Sequence, residues 1–266
     1  MAWYQHRRTR AVPESLLGPA GLLLAAALVE VLPRAGLVPA EYLPPLSAMA
    51  GALAGEAGDA AFWRALRDTL TGWGAGLALA TAAGVLLGLV IGRAEPLRRA
   101  TASTIEFLRP IPSVALVPLA VLLHGTGPRA TLLLVVYAAV WPVLLQVLAG
   151  VRDVDPVARD TAAVFRLPTL TRLRHLLWPT LLPYLMTGLR LAASVALILA
   201  VTAQLVIGSP GLGREIALAQ AANAVERMYA LVIVTGLLGV CVNAGARALE
   251  RRVLFWHTSE RTEAAA

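Results

Sequence analysis

Residues able to do chemistry are few in this chain, and they are scattered. His124 and His175 stand apart from each other and from any acid cluster. Neither has the neighbours that a metal centre or a proton relay requires, so each reads as a surface or interface residue. The single cysteine, Cys241, lies in an apolar run, which excludes an internal disulfide and a cysteine-cluster metal site and leaves a helix-packing thiol. The stretch HGTGPRAT at 124–131 has the glycines of a phosphate loop but lacks its lysine, so this chain binds and hydrolyses no nucleotide by that device. Polar side chains within the apolar runs are Gln146, Ser194, Thr202, Gln204, Thr235 and Asn243, and the one charge there is Arg190. Gln146, Ser194, Thr202 and Gln204 are the candidates for hydrogen bonding a small solute in transit. No buried acid or histidine pair accompanies them, which argues against a carrier driven by protons or sodium. A membrane-embedded enzyme is disfavoured on the same ground.

The elements that must hold these residues are membrane helices. The 266 residues are 58% hydrophobic and only 15% charged, with a mean hydropathy of +0.70. A soluble domain is nearer a quarter charged. Six segments are apolar and long enough to cross the roughly 30 Å hydrocarbon core: about 15–33, 68–92, 103–124, 130–149, 180–207 and 228–248. The expected fold is an all-α membrane protein. The formal charge is +7 and every basic residue is arginine. These arginines occur in short clusters between apolar runs, without a continuous basic face, so nucleic acid is not an expected partner.

Arginine placement sets an orientation. Arg7, Arg8 and Arg10 precede the first span, and Arg93, Arg98, Arg99 and Arg109 follow the second. Arg152, Arg159, Arg166, Arg172 and Arg174 lie between the fourth and fifth, and Arg247, Arg251, Arg252 and Arg261 follow the last. The opposite side has only Arg34, Arg64, Arg67, Arg129, Arg214 and Arg227. The positive-inside rule puts the richer side, with both termini, in the cytoplasm. The first span has no clean small-x-small cleavage site after it and reads as an uncleaved helix. An external segment follows, in which Phe62–Leu66 is expected to form an interfacial helix with Trp63 at headgroup level. Arg190, near the cytoplasmic end of its span, is expected to snorkel or to find a partner.

Two spans have unusual composition. In the second, Gly84, Gly88 and Gly92 recur every four residues, and Gly72 and Gly76 repeat that spacing. Such a stripe lets another helix approach closely, as helices do when they associate in lipid. The third has Pro110, Pro112 and Pro118 within nine residues, which predicts either a broken span of the kind that lines a substrate path or a proline-kinked structural helix.

The remaining outlier is DTAAVFRLPTLTRLRHLLWP, residues 160–179, too polar to cross a bilayer yet helical in periodicity on both sides of a proline. Asp155-Pro156 predicts a helix start, with Asp as cap and Pro in the first turn. Leu167-Pro168 ends that helix near Phe165. Thr169 or Thr171 can cap a second short helix running to Leu177. Two amphipathic pieces with basic and apolar faces suit docking to a partner, and a helix lying on anionic lipid is the plainer alternative.

Here the chain resembles the permease subunits of bacterial ABC importers of the nitrate/sulfonate/taurine type. VDPVARDTAAVFRLPTLTRLRHLLWPTLLPYLMTGLRLA matches the Glu-Ala-Ala loop of that family in register, with Asp160 at the Glu position, Thr161 and Ala162 at the alanines, and Trp178-Pro179 closing the motif. EFLRPIPSVALVPL at 106–119, LAGVRDVDP at 148–156 and GSPGLGREI at 208–216 are also similar, so the likeness spans roughly residues 42–257.

The resemblance implies a type I importer bundle of about six transmembrane helices in the bacterial inner membrane. Its domains would be residues 1–59 (first helix and external segment), 60–257 (permease domain) and 258–266 (cytoplasmic tail). It implies a second permease, identical or paralogous, a cytoplasmic ATP-binding subunit carrying Mg-ATP, and an extracytoplasmic solute-binding protein. This chain itself would hold no cofactor. Asp160, Thr161, Ala162, Ala163, Phe165, Arg166 and Pro168 would form the coupling loop, with Asp160, Ala162, Ala163 and Phe165 as its docking surface. A secondary carrier or channel without an ATPase is the competing transport reading. Two positions depart from the family. Its loop glycine falls at Arg166, so Pro168 is expected to make the turn in another way, and an acid common late in the fifth span falls at Gln204.

Overall fold

The computed structural model describes residues 14–255. The described residues form helices and no strand. In chain order these are α1 (Glu14–Arg34), α2 (Leu46–Ala57), α3 (Ala60–Arg93), α4 (Glu95–Leu108), a 3-10 turn (Ser113–Leu116) and α5 (Val117–His124). There follow α6 (Pro128–Arg152), α7 (Pro156–Val164), α8 (Thr169–Arg172), a π turn (Leu173–Leu177), α9 (Trp178–Ile207), α10 (Leu212–Ala221) and α11 (Val225–Val253). Five are long and apolar enough to cross a membrane, and the bent pair of α4 with the 3-10 turn and α5 makes a sixth candidate.

The core is α6, with α3 packed on one side and α9 on the other. The glycine stripe of α3 makes the first contact possible. A Cβ added at Gly84 would lie 2.8 Å from Val143 Cβ, one at Gly88 2.7 Å from Val147 Cβ, and one at Gly92 2.9 Å from Val151 Cγ1. Gly76 meets Val135 in the same way, and the fully buried Ala80 keeps the four-residue spacing. Gly72 faces open space and takes no part. Each valine lies the same distance along the chain from its glycine, so α3 and α6 run parallel. On the other side, Gly150 receives Leu181 and Tyr184, while Gly188 receives Gln146 and Pro142, so α9 is antiparallel to α6. Small residues here bring backbones close enough for dispersion along the whole seam, the main source of helix association when lipid and side chains are equally apolar.

Because α3 and α6 are parallel, the chain between them must return across the bundle. It does so through α4 and α5, bent by 85° at residues 109–112. Pro110 and Pro112 remove two backbone donors there. The broken end is held from α6, where Tyr137 Oη donates to the Leu108 carbonyl at 2.7 Å and Tyr137 meets Trp141 edge-to-face. The expected interfacial helix at Phe62–Leu66 does not exist as a separate element. Phe62 is buried in the first turn of the continuous α3, capped by Asp59, while Trp63 and Arg64 face outward.

A buried polar latch joins α3, α9 and the start of α10. Thr69 Oγ1 donates to Gln204 Oε1 at 2.9 Å and accepts from Leu212 N–H at 2.9 Å, while Gly213 N–H donates to the same Gln204 oxygen at 3.2 Å. Two orphan amides at the head of α10 are thus satisfied without water. Gly211, at φ 143°, belongs to the same latch, since a Cβ there would overlap the Gln204 carboxamide. Replacing Gln204 by Leu strands a buried hydroxyl and a buried amide, at about 1–3 kcal/mol for each group. Thermal unfolding in detergent is expected to show a large loss for Gln204→Leu and a small one for Gln204→Glu, whose carboxylate still accepts both bonds at a helix N-terminus. Equal losses would show that the acceptor is unimportant.

Arginines bind the outer elements. Arg227 of α11 bonds Glu56 of α2 at 2.7 Å and Glu215 of α10 at 3.1 Å. Arg190 does find a partner, Glu250 of α11, at 3.2 Å.

Candidate coupling loop and translocation face

The polar segment after α6 folds largely as its residues dictate. Asp155 caps α7 by accepting from Val157 N–H at 2.9 Å, and Pro156 occupies the first turn. Within α7, Ala158 and Ala162 lie one helical turn apart on the inward stripe. Ala162 is only 5% exposed, which corrects its expected place on the docking surface: it seats the helix. Thr161 faces out, with its hydroxyl donating to the Val157 carbonyl of its own helix at 2.8 Å. Asp160 and Ala163 are exposed, and Phe165 is 73% exposed. Val157, Val164 and Leu170, at 71–80% exposure, join them in an apolar patch that the sequence reading missed. The spacing of Val157, Asp160, Thr161 and Val164 along one helical face was the available signal.

The turn after α7 contradicts the expectation for Arg166. Arg166 itself takes the left-handed conformation, φ 49°, and Pro168 does not replace it. Leu167 N–H bonds back to the Ala162 carbonyl and Arg166 N–H to the Ala163 carbonyl, both at 3.0 Å. This is a Schellman end, with Arg166 where glycine is usual. An L-residue pays about 1–2 kcal/mol for that conformation, partly offset because glycine loses more freedom on folding. Arg166→Gly is therefore expected to keep the loop intact and to raise the thermal midpoint slightly, while Arg166→Val lowers it. A marked loss with glycine would mean that the side chain, and not the backbone, holds the turn.

The second piece also differs from expectation. Neither Thr169 nor Thr171 caps it: Pro168 occupies the cap position and no side chain bonds to the first amides. Nor is it a separate short helix. α8 continues through the π turn at Leu173–Leu177 into α9, giving one helical path from Thr169 to Ile207. Pro179 lacks an N–H, and the widened turn lies where the ladder loses that donor.

The four candidate path residues part company. Gln146 lines a cavity of about 370 Å³ with Trp141 and Pro142 of α6, Val195 and Leu199 of α9, and Arg109 and Ser113 of the bend. Trp141 Nε1 is buried without a hydrogen-bond partner in that region. Thr202 is half-buried one turn beyond Leu199, and Ser194 is half-buried with its hydroxyl directed to the Arg190 carbonyl at 3.4 Å. Gln204 is 2% exposed and committed to the latch. Arg109 was grouped with the cytoplasmic arginines, but the bend carries it level with Ala138–Gln146, between the ends of α6. Only the break in the third span could have signalled this. Next to the cavity, Leu191, Ile198, Leu205 and Val206 leave an exposed apolar stripe on α9. Among the described residues no group of His, Cys, Asp and Glu could hold a metal ion.

Residues 80–255 match the family described as binding-protein-dependent transport system inner membrane component. The chain is 31% identical over 199 residues to the taurine transport system permease protein TauC of Escherichia coli K12, covering 75% of this chain and 72% of the relative. It is 29% identical over 194 residues to the bicarbonate transport system permease protein CmpB of Synechococcus elongatus, covering 73% and 69%. Its fold is similar to that of a solved chain of the MetNI methionine ABC transporter, with TM-score 0.62 at 17% identity over 73% of this chain and 96% of that one.

Proposed function

The chain belongs to the binding-protein-dependent transport system inner membrane components, and from that premise we propose that it carries a small oxyanion across the bacterial inner membrane, driven by a separate ATP-binding subunit docked on α7. It is a permease subunit of an ABC importer, with relatives named for taurine, sulfonate, nitrate and bicarbonate transport. The observation that carries the choice of an anion is Arg109. A charge at this depth costs about 2.5–3.5 kcal/mol on insertion scales and marks a functional site by default. Here it opens into a cavity beside Gln146 and an unpartnered indole N–H, a set of donors suited to an oxyanion.

In this reading α7 and the turn at Arg166 receive the ATPase on the cytoplasmic side, and Mg-ATP stays on that partner. The exposed stripe of α9 faces a second permease, and an extracytoplasmic binding protein delivers the solute at the end that carries α2 and α10. Both termini lie in the cytoplasm.

The test is reconstitution of the importer with its ATPase and binding protein in proteoliposomes. ATP-dependent uptake of taurine, nitrate or bicarbonate is expected, with Arg109→Gln lowering uptake about tenfold or more while the ATPase remains bound. Uptake of a neutral or cationic solute that ignores this substitution would refute the anion reading. Labelling of a Thr169→Cys variant only from outside the cell would refute the orientation.

A further inference from the structure

We infer that the crevice where α3, α4, α6, α7 and α8 meet is a binding site for a phosphate-bearing anion. The crevice encloses about 650 Å³. Arg93 reaches it from the end of α3, Arg98 from α4, Arg152 from the end of α6, Arg159 from α7 and Arg172 from α8. The one acid on its wall is Glu95, whose carboxylate is already held by Arg98 and Arg99. Arg93, Arg152, Arg159 and Arg172 make no ion pair among the described residues. Arg172 Nε is buried with no hydrogen-bond partner.

A count of inward arginines accounts for their number at this end of the bundle, but not for their convergence. Arg93 and Arg152 lie at helix C-termini, where the helix dipole favours a cation. Arg98 and Arg159 lie in first turns, where it does not. With one acid on the wall, and that acid already paired, the crevice carries a net positive charge that a bound anion would neutralise. Planar guanidinium forks match phosphate oxygens in pairs, which singles out phosphate from a simple halide. Val151, Val154, Leu173, Leu176 and Leu177 add an apolar wall beside the charges. A phosphate with an attached acyl chain meets both surfaces, as the headgroup of an anionic phospholipid would. A free phosphate compound meets only the first. This site is separate from the path at Arg109 and does not depend on the transport reading.

The full-length chain, purified in a zwitterionic detergent, is titrated with a fluorescent phosphatidylglycerol and, separately, with inorganic pyrophosphate. Phosphatidylglycerol is expected to bind at least about tenfold more tightly than phosphatidylcholine. The Arg152→Gln/Arg172→Gln double variant should lose that preference, and Arg247→Gln should retain it. The Arg152→Lys/Arg172→Lys variant keeps the charge and guards against a folding defect, and it is expected to bind several-fold more weakly because the paired geometry is gone. Pyrophosphate that binds alone and displaces the lipid identifies a soluble anion as the ligand, and lipid binding that pyrophosphate leaves unchanged identifies the headgroup. Either result supports the site. Equal binding of the two lipids with no pyrophosphate binding, or wild-type behaviour of both double variants, would overturn it. Because no transport step is measured, failure here leaves the anion-importer reading untouched.

Discussion

An arginine placed at Ala163 is expected to abolish ATP-driven uptake, by about 100-fold or more, while the permease still accumulates in the membrane. Ala163 lies on the outer side of α7 between Asp160 and Phe165 and is exposed, and its structural bond, from Arg166 N–H, is to the backbone carbonyl that a substitution keeps. Its neighbours Val157, Val164, Phe165 and Leu170 form an apolar patch with no cover in the single chain. If the ATPase closes over this patch, an arginine at its centre is desolvated without a partner, at a cost of several kcal/mol. The contrast with Ala162 sharpens the test. Ala162 is buried, so Ala162→Arg should lower the yield of folded permease, whereas Ala163→Arg should leave thermal stability unchanged and act on uptake alone. The measurements are uptake in proteoliposomes, recovery of the ATPase with the tagged permease, and the thermal midpoint of each variant. Wild-type uptake by Ala163→Arg would move the coupling surface away from α7.

The largest stability effect should come from one methyl group, at Gly88. Its Cβ would lie 2.7 Å from Val147 Cβ and 3.4 Å from the Leu144 carbonyl, inside the parallel seam of α3 and α6. Val147 is fully buried. Helices held apart by one methyl lose contacts along the whole seam, so the cost should reach or exceed the 1–3 kcal/mol typical of overpacking. Gly72→Ala provides the control: the same stripe, the same helix and nothing within 4 Å. It should be neutral or slightly stabilising, because alanine is the better helix former. Val147→Ala in the Gly88→Ala background should recover much of the loss by restoring the combined volume of the pair. Equal behaviour of Gly72→Ala and Gly88→Ala in unfolding experiments would show that the seam is not a packing constraint.

The glycine stripe shows how far periodicity reaches. A four-residue repeat at Gly84, Gly88 and Gly92 correctly marked a face for close approach, because a helix repeats its face at that interval. It could not show that Gly72 meets nothing while Gly76 meets Val135, since that depends on where the two helices part. The cap at Asp155 and the proline after it were legible for a similar reason, being made by residues adjacent in the chain. The positive φ of Arg166 was not legible, because the arginine side chain disfavours that conformation and only the back-bonds to Ala162 and Ala163 impose it.

By itself the sequence determined which segments are membrane helices, that prolines kink or break the third, and that a polar helical elbow follows the fourth. Insertion into lipid and chain reversal at proline are local free energies, summed over neighbouring residues. Only the tertiary structure decided that Ala162 turns inward, that Gln204 closes a latch with Thr69 and Gly213, and that Arg109 lies level with the middle of α6. These outcomes depend on the rotation and depth of each helix. Both are set by packing against partners far away in the chain, where no local pattern records them.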